Sequence, residues 1–194
     1  MNWIENLLII AGISLDIFAA MECQGSLVAK VDKKQLTIIC GLVAVWQLAA
    51  LAIGNYLSVL LYRNKSTHDE GFVGLVIAAV IYFALGVRLI VKAVRNEHIN
   101  EHREDSLGLG RFFRMAAVTS IYTLLAGIAF GFLKTDLLLM LATIACLTVA
   151  VVVTGMYTGY HFGFVHKTKA YVGGAILLWI AGIDVIVRHI MCYV

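Results

Sequence analysis

Six long apolar segments, separated by polar segments, dominate the pattern along the chain. An α-helix needs about 20 apolar residues to cross the ~30 Å hydrocarbon core of a bilayer, and each segment reaches that length. The pattern therefore predicts an all-α polytopic membrane protein with six transmembrane helices. The predicted helices cover about residues 3–28, 36–61, 71–94, 112–133, 136–162 and 171–192.

The longest polar segment, residues 95–111, predicts a linker between a three-helix half at 1–94 and another at 112–194. This linker carries His98 and His102 at i,i+4 spacing, which on a helix would place both imidazoles on one face. Such a pair could recruit metal ions from the cytoplasm. A solvated loop of mixed charge is the alternative interpretation.

The two halves resemble each other in sequence. SLDIFAAMECQG at 14–25 aligns with SIYTLLAGIAFG at 120–131, and LGVRLIVK at 85–92 aligns with AGIDVIVR at 181–188. Because each half has an odd number of spans, the second half must cross the membrane in the opposite orientation. We therefore expect two inverted three-helix repeats, a plan found in many secondary transporters, with the substrate site near the midplane.

Basic residues predict the orientation of the chain. Ten Lys and Arg residues lie in or beside the loops that join helices 1 and 2, 3 and 4, and 5 and 6. Four lie on the opposite face of the membrane. Since basic residues concentrate on the cytoplasmic side, both termini should be extracytoplasmic. The first helix lacks a basic flank and takes part in the repeat, so we do not expect a cleaved signal peptide.

Composition narrows the function classes. The chain has 194 residues, of which 61% are hydrophobic and 14% charged, and its net charge of +3 gives no argument for a nucleic-acid partner. No nucleophile–base set or nucleotide-binding motif is present, so we expect neither an enzyme nor an ATP-driven pump. Glycines at four-residue spacing predict close helix packing, within the chain or in a homodimer; they are Gly127 and Gly131, and Gly155, Gly159 and Gly163.

Asp16 is the strongest candidate for a functional residue. It lies in the middle of the first apolar segment, where an ionised carboxylate is expensive and usually handles an ion, a proton or a substrate. Small neighbours leave room beside it for an ion. Asp16 could supply the charge for a hard divalent cation, and Gln47 in helix 2 a neutral oxygen. The alternative is a buried hydrogen-bond network without a ligand.

Other ionisable residues in the spans have two interpretations each. Glu22 faces another side of helix 1 and could pair with Lys30 or Lys33, or act as a ligand near the cytoplasmic end. Arg88 and Asp184 occupy equivalent positions in helices 3 and 6. They could form an internal ion pair, or Asp184 could be a second acidic group on the permeation path.

Several strings resemble the MntP family of manganese efflux pumps over nearly the whole chain. They are SLDIFAA followed by Gly25, the motif TSIY at Thr119–Tyr122, GVRLIVKAVR and the closing GGAILLWIAGIDVIVRH. The resemblance implies six helices in two inverted repeats in the bacterial cytoplasmic membrane. It also implies export of divalent cations, chiefly Mn²⁺, with no permanently bound cofactor.

Individual residues both match and depart from the family pattern. Asp16 matches the aspartate of the first repeat, and Gln47 matches a polar position. Tyr122 stands where the second repeat is expected to have an aspartate. Cys23 stands where Ser or Gly is common, and Asp184 where Gln or Lys is common.

The replaced aspartate raises a charge problem, because a dication beside one carboxylate leaves net positive charge in a low-dielectric site. Another acid could compensate, Tyr122 could add a phenolic oxygen, or the substrate could differ. The sequence predicts a secondary-active exporter of divalent metal, chiefly Mn²⁺. Alternatives are a scaffold or regulator without Mn²⁺ transport, and an exporter of another cation or an amino acid. The predicted metal ligands are Asp16, Gln47, Tyr122 and Asp184, followed by Glu22 and Cys23.

Overall fold

The computed structural model of the chain describes residues 3–27, 33–63, 70–95, 109–133, 136–163 and 165–193. These ranges form six α-helices, all long and apolar enough to cross a membrane, which confirms the predicted all-α polytopic class. The helices are α1 (Trp3–Ser26), α2 (Lys33–Arg63), α3 (Glu70–Arg95), α4 (Leu109–Phe132), α5 (Leu137–Phe162) and α6 (Lys167–Tyr193).

Four helices, α2, α3, α4 and α6, begin before the predicted apolar segments, most clearly α6. This helix begins at Lys167, where the apolar pattern predicted a start at Tyr171. The Ala170 N–H donates to the His166 carbonyl oxygen at 2.9 Å, so the polar residues between them already form a helical turn. Hydropathy marks the part of a helix that suits the bilayer, whereas hydrogen bonding decides where the helix begins.

The first half of the chain packs against the second half. Within the described ranges, α1 packs on α5 and α6, α2 on α4 and α5, and α3 on α6 and α4, with a smaller contact between α1 and α4. The two halves therefore interdigitate into one bundle. Residues 96–108, which include His98 and His102, lie outside the described residues, and the proposed division into repeats and linker stays a prediction.

Apolar side chains occupy both the inside and the outside of the bundle. Ile9, Tyr82 and Phe130 belong to the buried core. Leu138 is 83% exposed and Val45 is 66% exposed, and many other large apolar side chains face outward in the same way. An apolar exterior of this extent is suited to lipid rather than water. The chain is therefore a multi-pass membrane protein.

Glycines allow two helix pairs to approach closely. A Cβ at Gly25 would overlap the Met156 carbonyl oxygen, and one at Gly159 would overlap the Glu22 carbonyl oxygen, so α1 and α5 touch backbone to backbone. In the same way, a Cβ at Gly127 would lie 2.6 Å from a carbonyl oxygen of α2. The faces at Gly25, Gly127 and Gly159 are covered within the chain, so they give no support to a homodimer. A Cβ at Gly163, just after α5, would meet nothing within 4 Å.

Substitution of Gly159 tests this packing. We expect Gly159→Ala to lower the midpoint of thermal unfolding by at least about 3 °C, because the new methyl group meets rigid backbone and overpacking costs about 1–3 kcal/mol. Gly41 is the matched control, since a Cβ there meets nothing within 4 Å. Gly41→Ala should leave the midpoint unchanged or raise it. Equal midpoints for the two variants in detergent would contradict the close approach of α1 and α5.

Candidate functional site

Asp16 lies near the middle of α1, thirteen residues or about 20 Å from its start. Its side chain is 2% exposed. It lines a small cavity of about 10 Å³, close to the minimum that holds one water molecule. The other residues around this cavity are Ile13, Leu85, Arg88, Leu89, Tyr122 and Leu178, so α1, α3, α4 and α6 all contribute.

Lys92 of α3 neutralises Asp16. Its Nζ donates a hydrogen bond to Asp16 Oδ1 at 2.7 Å, which makes a short ion pair that is buried on the Asp16 side and partly exposed on the Lys92 side. Arg88, one turn earlier on α3, also interacts electrostatically with Asp16. The other carboxylate oxygen, Oδ2, is buried and has no hydrogen-bond partner among the described residues. One oxygen of Asp16 is thus paired, and the other could accept a bond from a ligand.

Tyr122, the residue in place of the expected second aspartate, shares the cavity with Asp16 and contacts two cations. Arg88 Cζ and Lys92 Nζ each lie 4.5 Å from the centroid of its ring. Cation–π attraction therefore holds both basic side chains against the ring. Among the described residues that meet around this ring, one carboxylate accompanies two cations, so the local charge is positive.

Lys92 was not among the sequence candidates. The only internal partner considered for a basic residue of helix 3 was Asp184 for Arg88. The structure places Arg88 against Tyr122. Asp184 lies about 9 Å beyond Leu178 along α6 and does not line the Asp16 cavity, and its predicted role stays a prediction. A signal was present in the sequence, since Lys92 follows Arg88 by one turn and so shares its face.

Gln47 is fully buried, and its described hydrogen bonds go to α4. Its Nε2 donates to Thr119 Oγ1 at 3.4 Å, and Thr123 Oγ1 donates to its Oε1. These bonds join α2 to α4. Gln47 is not among the residues that line the Asp16 cavity. Its role as a metal ligand stays a prediction.

Glu22 is fully buried at the end of α1 and joins it to α6. Its Oε1 accepts the backbone N–H of His166 at 2.8 Å, and Lys167 interacts with it electrostatically. A carboxylate at a helix N-terminus is stabilised by the helix dipole. Of the expected partners, Lys33 is exposed and Lys30 lies outside the described residues. The start of α6 supplies the partner of Glu22 instead, because tertiary packing brings α6 next to α1.

Cys23 is partly buried and lines a second, larger cavity of about 520 Å³ next to the Asp16 cavity. Arg88 and Tyr122 line both spaces, and Lys92 lines the larger one. Among the described residues, no three His, Cys, Asp or Glu side chains come close enough together to hold a metal ion. A metal at Asp16 would therefore need carbonyl, phenolic or water oxygens to complete its shell.

Comparison with protein families gives one clear match. The family model described as "Putative manganese efflux pump" matches residues 30–186 of the chain. This match confirms the resemblance seen in the sequence motifs. No solved structure matches the chain.

Curated relatives carry the same description. The protein of Mannheimia succiniciproducens, named "Putative manganese efflux pump MntP", is 25% identical over 184 residues, or 92% of each chain. The proteins of that name from Rippkaea orientalis and Serratia proteamaculans are 24% identical over 94% of each chain and 26% identical over 98% of each chain. The chain is thus similar to these relatives over nearly its full length, at low identity.

A double-mutant cycle tests the ion pair between Asp16 and Lys92. Lys92→Met leaves a buried carboxylate without its closest cation, so we expect the thermal midpoint to fall by at least about 5 °C. Asp16→Asn/Lys92→Met removes both charges and should recover most of this loss. Lys169→Met, on an exposed lysine of α6, is the control and should change little. Strictly additive effects of the two single substitutions would contradict the pair.

Proposed function

Because the chain belongs to the family described as "Putative manganese efflux pump", we propose that it is a secondary-active exporter of a divalent metal cation, with Mn²⁺ as its cargo. The observation that carries the proposal is Asp16. It is buried in the middle of α1, and its Oδ2 has no hydrogen-bond partner among the described residues. Carboxylate oxygens are the ligands that hard divalent cations prefer.

A metal ion on Asp16 Oδ2 and a protonated Lys92 on Oδ1 would repel each other. At a separation of about 4 Å, a dication and a unit cation repel by about 8 kcal/mol at an effective dielectric constant of about 20. Lys92 must therefore leave the carboxylate, or lose its proton, when Mn²⁺ binds. Its flexible four-carbon chain permits the first route, because the side chain already borders the larger cavity. In this account Lys92 neutralises Asp16 whenever the cargo is absent.

The packing of the helices supports an inverted repeat. Exchanging α1 with α4, α2 with α5 and α3 with α6 converts the α1–α5 contact into the α2–α4 contact, and the α1–α6 contact into the α3–α4 contact. Inverted repeats allow one bundle to open alternately to either side. We propose that the ends of α1, α3 and α5 lie on the cytoplasmic side of the bacterial inner membrane, as the basic residues indicate.

The ion pair between Asp16 and Lys92 also supports a second candidate function. If Lys92 never leaves Asp16, the pair is a permanent structural element, and the chain is a member of the family that no longer transports Mn²⁺. The local excess of positive charge around Tyr122 supports this alternative. The two candidates differ in whether Asp16 becomes available to a metal once Lys92 is removed.

Metal tolerance tests the role of Asp16. In an exporter-deficient bacterium exposed to toxic Mn²⁺, we expect the wild-type chain to restore growth and Asp16→Asn to fail, since Asp16 is the only carboxylate among the described residues that line the cavity. Asp136 is the matched control, because it is exposed just before α5 and makes no side-chain cap. Asp136→Asn should protect like wild type. Full protection by Asp16→Asn at equal expression would contradict the proposal.

Removal of Lys92 tests whether its ammonium group competes with Mn²⁺ for Asp16. We expect Lys92→Gln to bind Mn²⁺ at least about tenfold more tightly than wild type, because a competing cation is lost. Calorimetry on the purified chain measures this affinity at a temperature where both proteins are folded. Lys169→Gln should bind like wild type. Absence of Mn²⁺ binding by Lys92→Gln would favour the second candidate.

A further inference from the structure

The larger cavity is not explained by the export of a cation. It has a volume of about 520 Å³ and lies between the ends of α1 and α3 and the beginnings of α4 and α6. This volume falls in the range typical of small-molecule sites. The cavity lies on the side of the bundle where the sequence predicts the cytoplasm.

Five basic side chains line this cavity. Three come from successive turns of α3, one from α4 and one from α6. Two carboxylates accompany them in the described part of the chain, namely Asp16, which pairs with Lys92, and Glu22, which interacts with Lys167. Five cations therefore face two carboxylates, both already engaged. The basic residues are Arg88, Lys92, Arg95, Arg114 and Lys167.

The cytoplasmic bias of basic residues accounts for only part of this cluster. Arg95 and Arg114 are exposed near the ends of α3 and α4, as that bias predicts. Arg88 lies seven residues, or about 10 Å, before the end of α3. Lys92 reaches inward as far as Asp16 and the ring of Tyr122. The positive charge thus continues from the surface to the centre of the bundle.

We propose that this cavity is a binding site for an oxyanion, that is, a phosphate or carboxylate group. Arg guanidinium groups form paired hydrogen bonds with such groups, and Lys adds a mobile charge. The beginnings of α4 and α6 point their positive ends to the same side. Glu22 accepts the backbone N–H of His166, the residue just before α6, so a carboxylate is already held in this region.

The proposal goes beyond cation export, because it assigns the chain a ligand of opposite charge at a separate space. Lys92 belongs to both sites. An oxyanion that attracts Lys92 towards the cavity would weaken its hold on Asp16. The oxyanion site exists in this account whether or not the chain transports metal.

Calorimetry with inorganic phosphate and with citrate tests the site on the whole purified chain in phosphatidylcholine nanodiscs. We expect binding by wild type that weakens at least about tenfold in Arg95→Gln/Arg114→Gln and weakens with added salt. The single variant Arg114→Gln serves if the double variant folds poorly. Lys169→Gln, which removes a charge from the same side but outside the cavity, should bind like wild type.

A second arm distinguishes a dissolved anion from a lipid headgroup. Nanodiscs with phosphatidylglycerol should stabilise wild type more than Arg95→Gln/Arg114→Gln if the source is a lipid phosphate. An effect in either arm that depends on these arginines supports the site. Equal behaviour of wild type and the variants in both arms overturns it.

Asp16→Asn separates this proposal from metal export. It removes the metal ligand but leaves Lys92 available to the cavity, so phosphate binding should persist or strengthen. Loss of Mn²⁺ binding with retained phosphate binding would show two sites. Loss of both in a folded Asp16→Asn protein would overturn the assignment of a separate oxyanion site.

Discussion

An ionised carboxylate in the middle of a membrane-spanning bundle must be neutralised, and the packing around Asp16 depends on which side chain supplies the opposite charge. The Lys92 ammonium does so at 2.7 Å. The pair links the side chains of α3 and α1, and the ring of Tyr122 on α4 contacts both Arg88 and Lys92. A buried carboxylate without such a partner costs several kcal/mol. The positions of α1, α3 and α4 therefore depend on the charge of Asp16.

This constraint changes how cation export can work in this chain. A site with two carboxylates can accept a dication directly, because the charges nearly cancel. A site with one carboxylate and a lysine must exchange one cation for another. In the proposed exporter, this exchange would keep the centre from holding an unneutralised carboxylate. The basic cavity beside it would receive the displaced Lys92 ammonium, especially with the proposed oxyanion bound there.

The sequence predicted the features that depend on the length of apolar segments and on the free-energy cost of burying a charge. Long apolar segments predicted six helices, and the expense of a buried charge identified Asp16. Its partner was missed because the contact between α1 and α3 joins residues 76 positions apart. The surroundings of Glu22 were missed for the same reason, since the start of α6 supplies its partner. Local spacing cannot specify contacts that only tertiary packing creates.

The role of the glycines was predicted only in part. Four-residue spacing predicted close packing but left open whether the partner is another helix of the chain or a second copy. The structure places Gly155 and Gly159 against α1, and Gly127 and Gly131 against α2. The choice between these partners depends on the whole bundle. A pattern in one helix defines a surface and not what covers it.

Anomalous diffraction from the chain soaked in Mn²⁺ tests the central claim most directly. The account predicts a manganese peak within about 2.5 Å of an Asp16 carboxylate oxygen, with Lys92 Nζ withdrawn from its 2.7 Å contact. The account would be contradicted by a manganese peak elsewhere in the bundle with the Asp16–Lys92 pair unchanged.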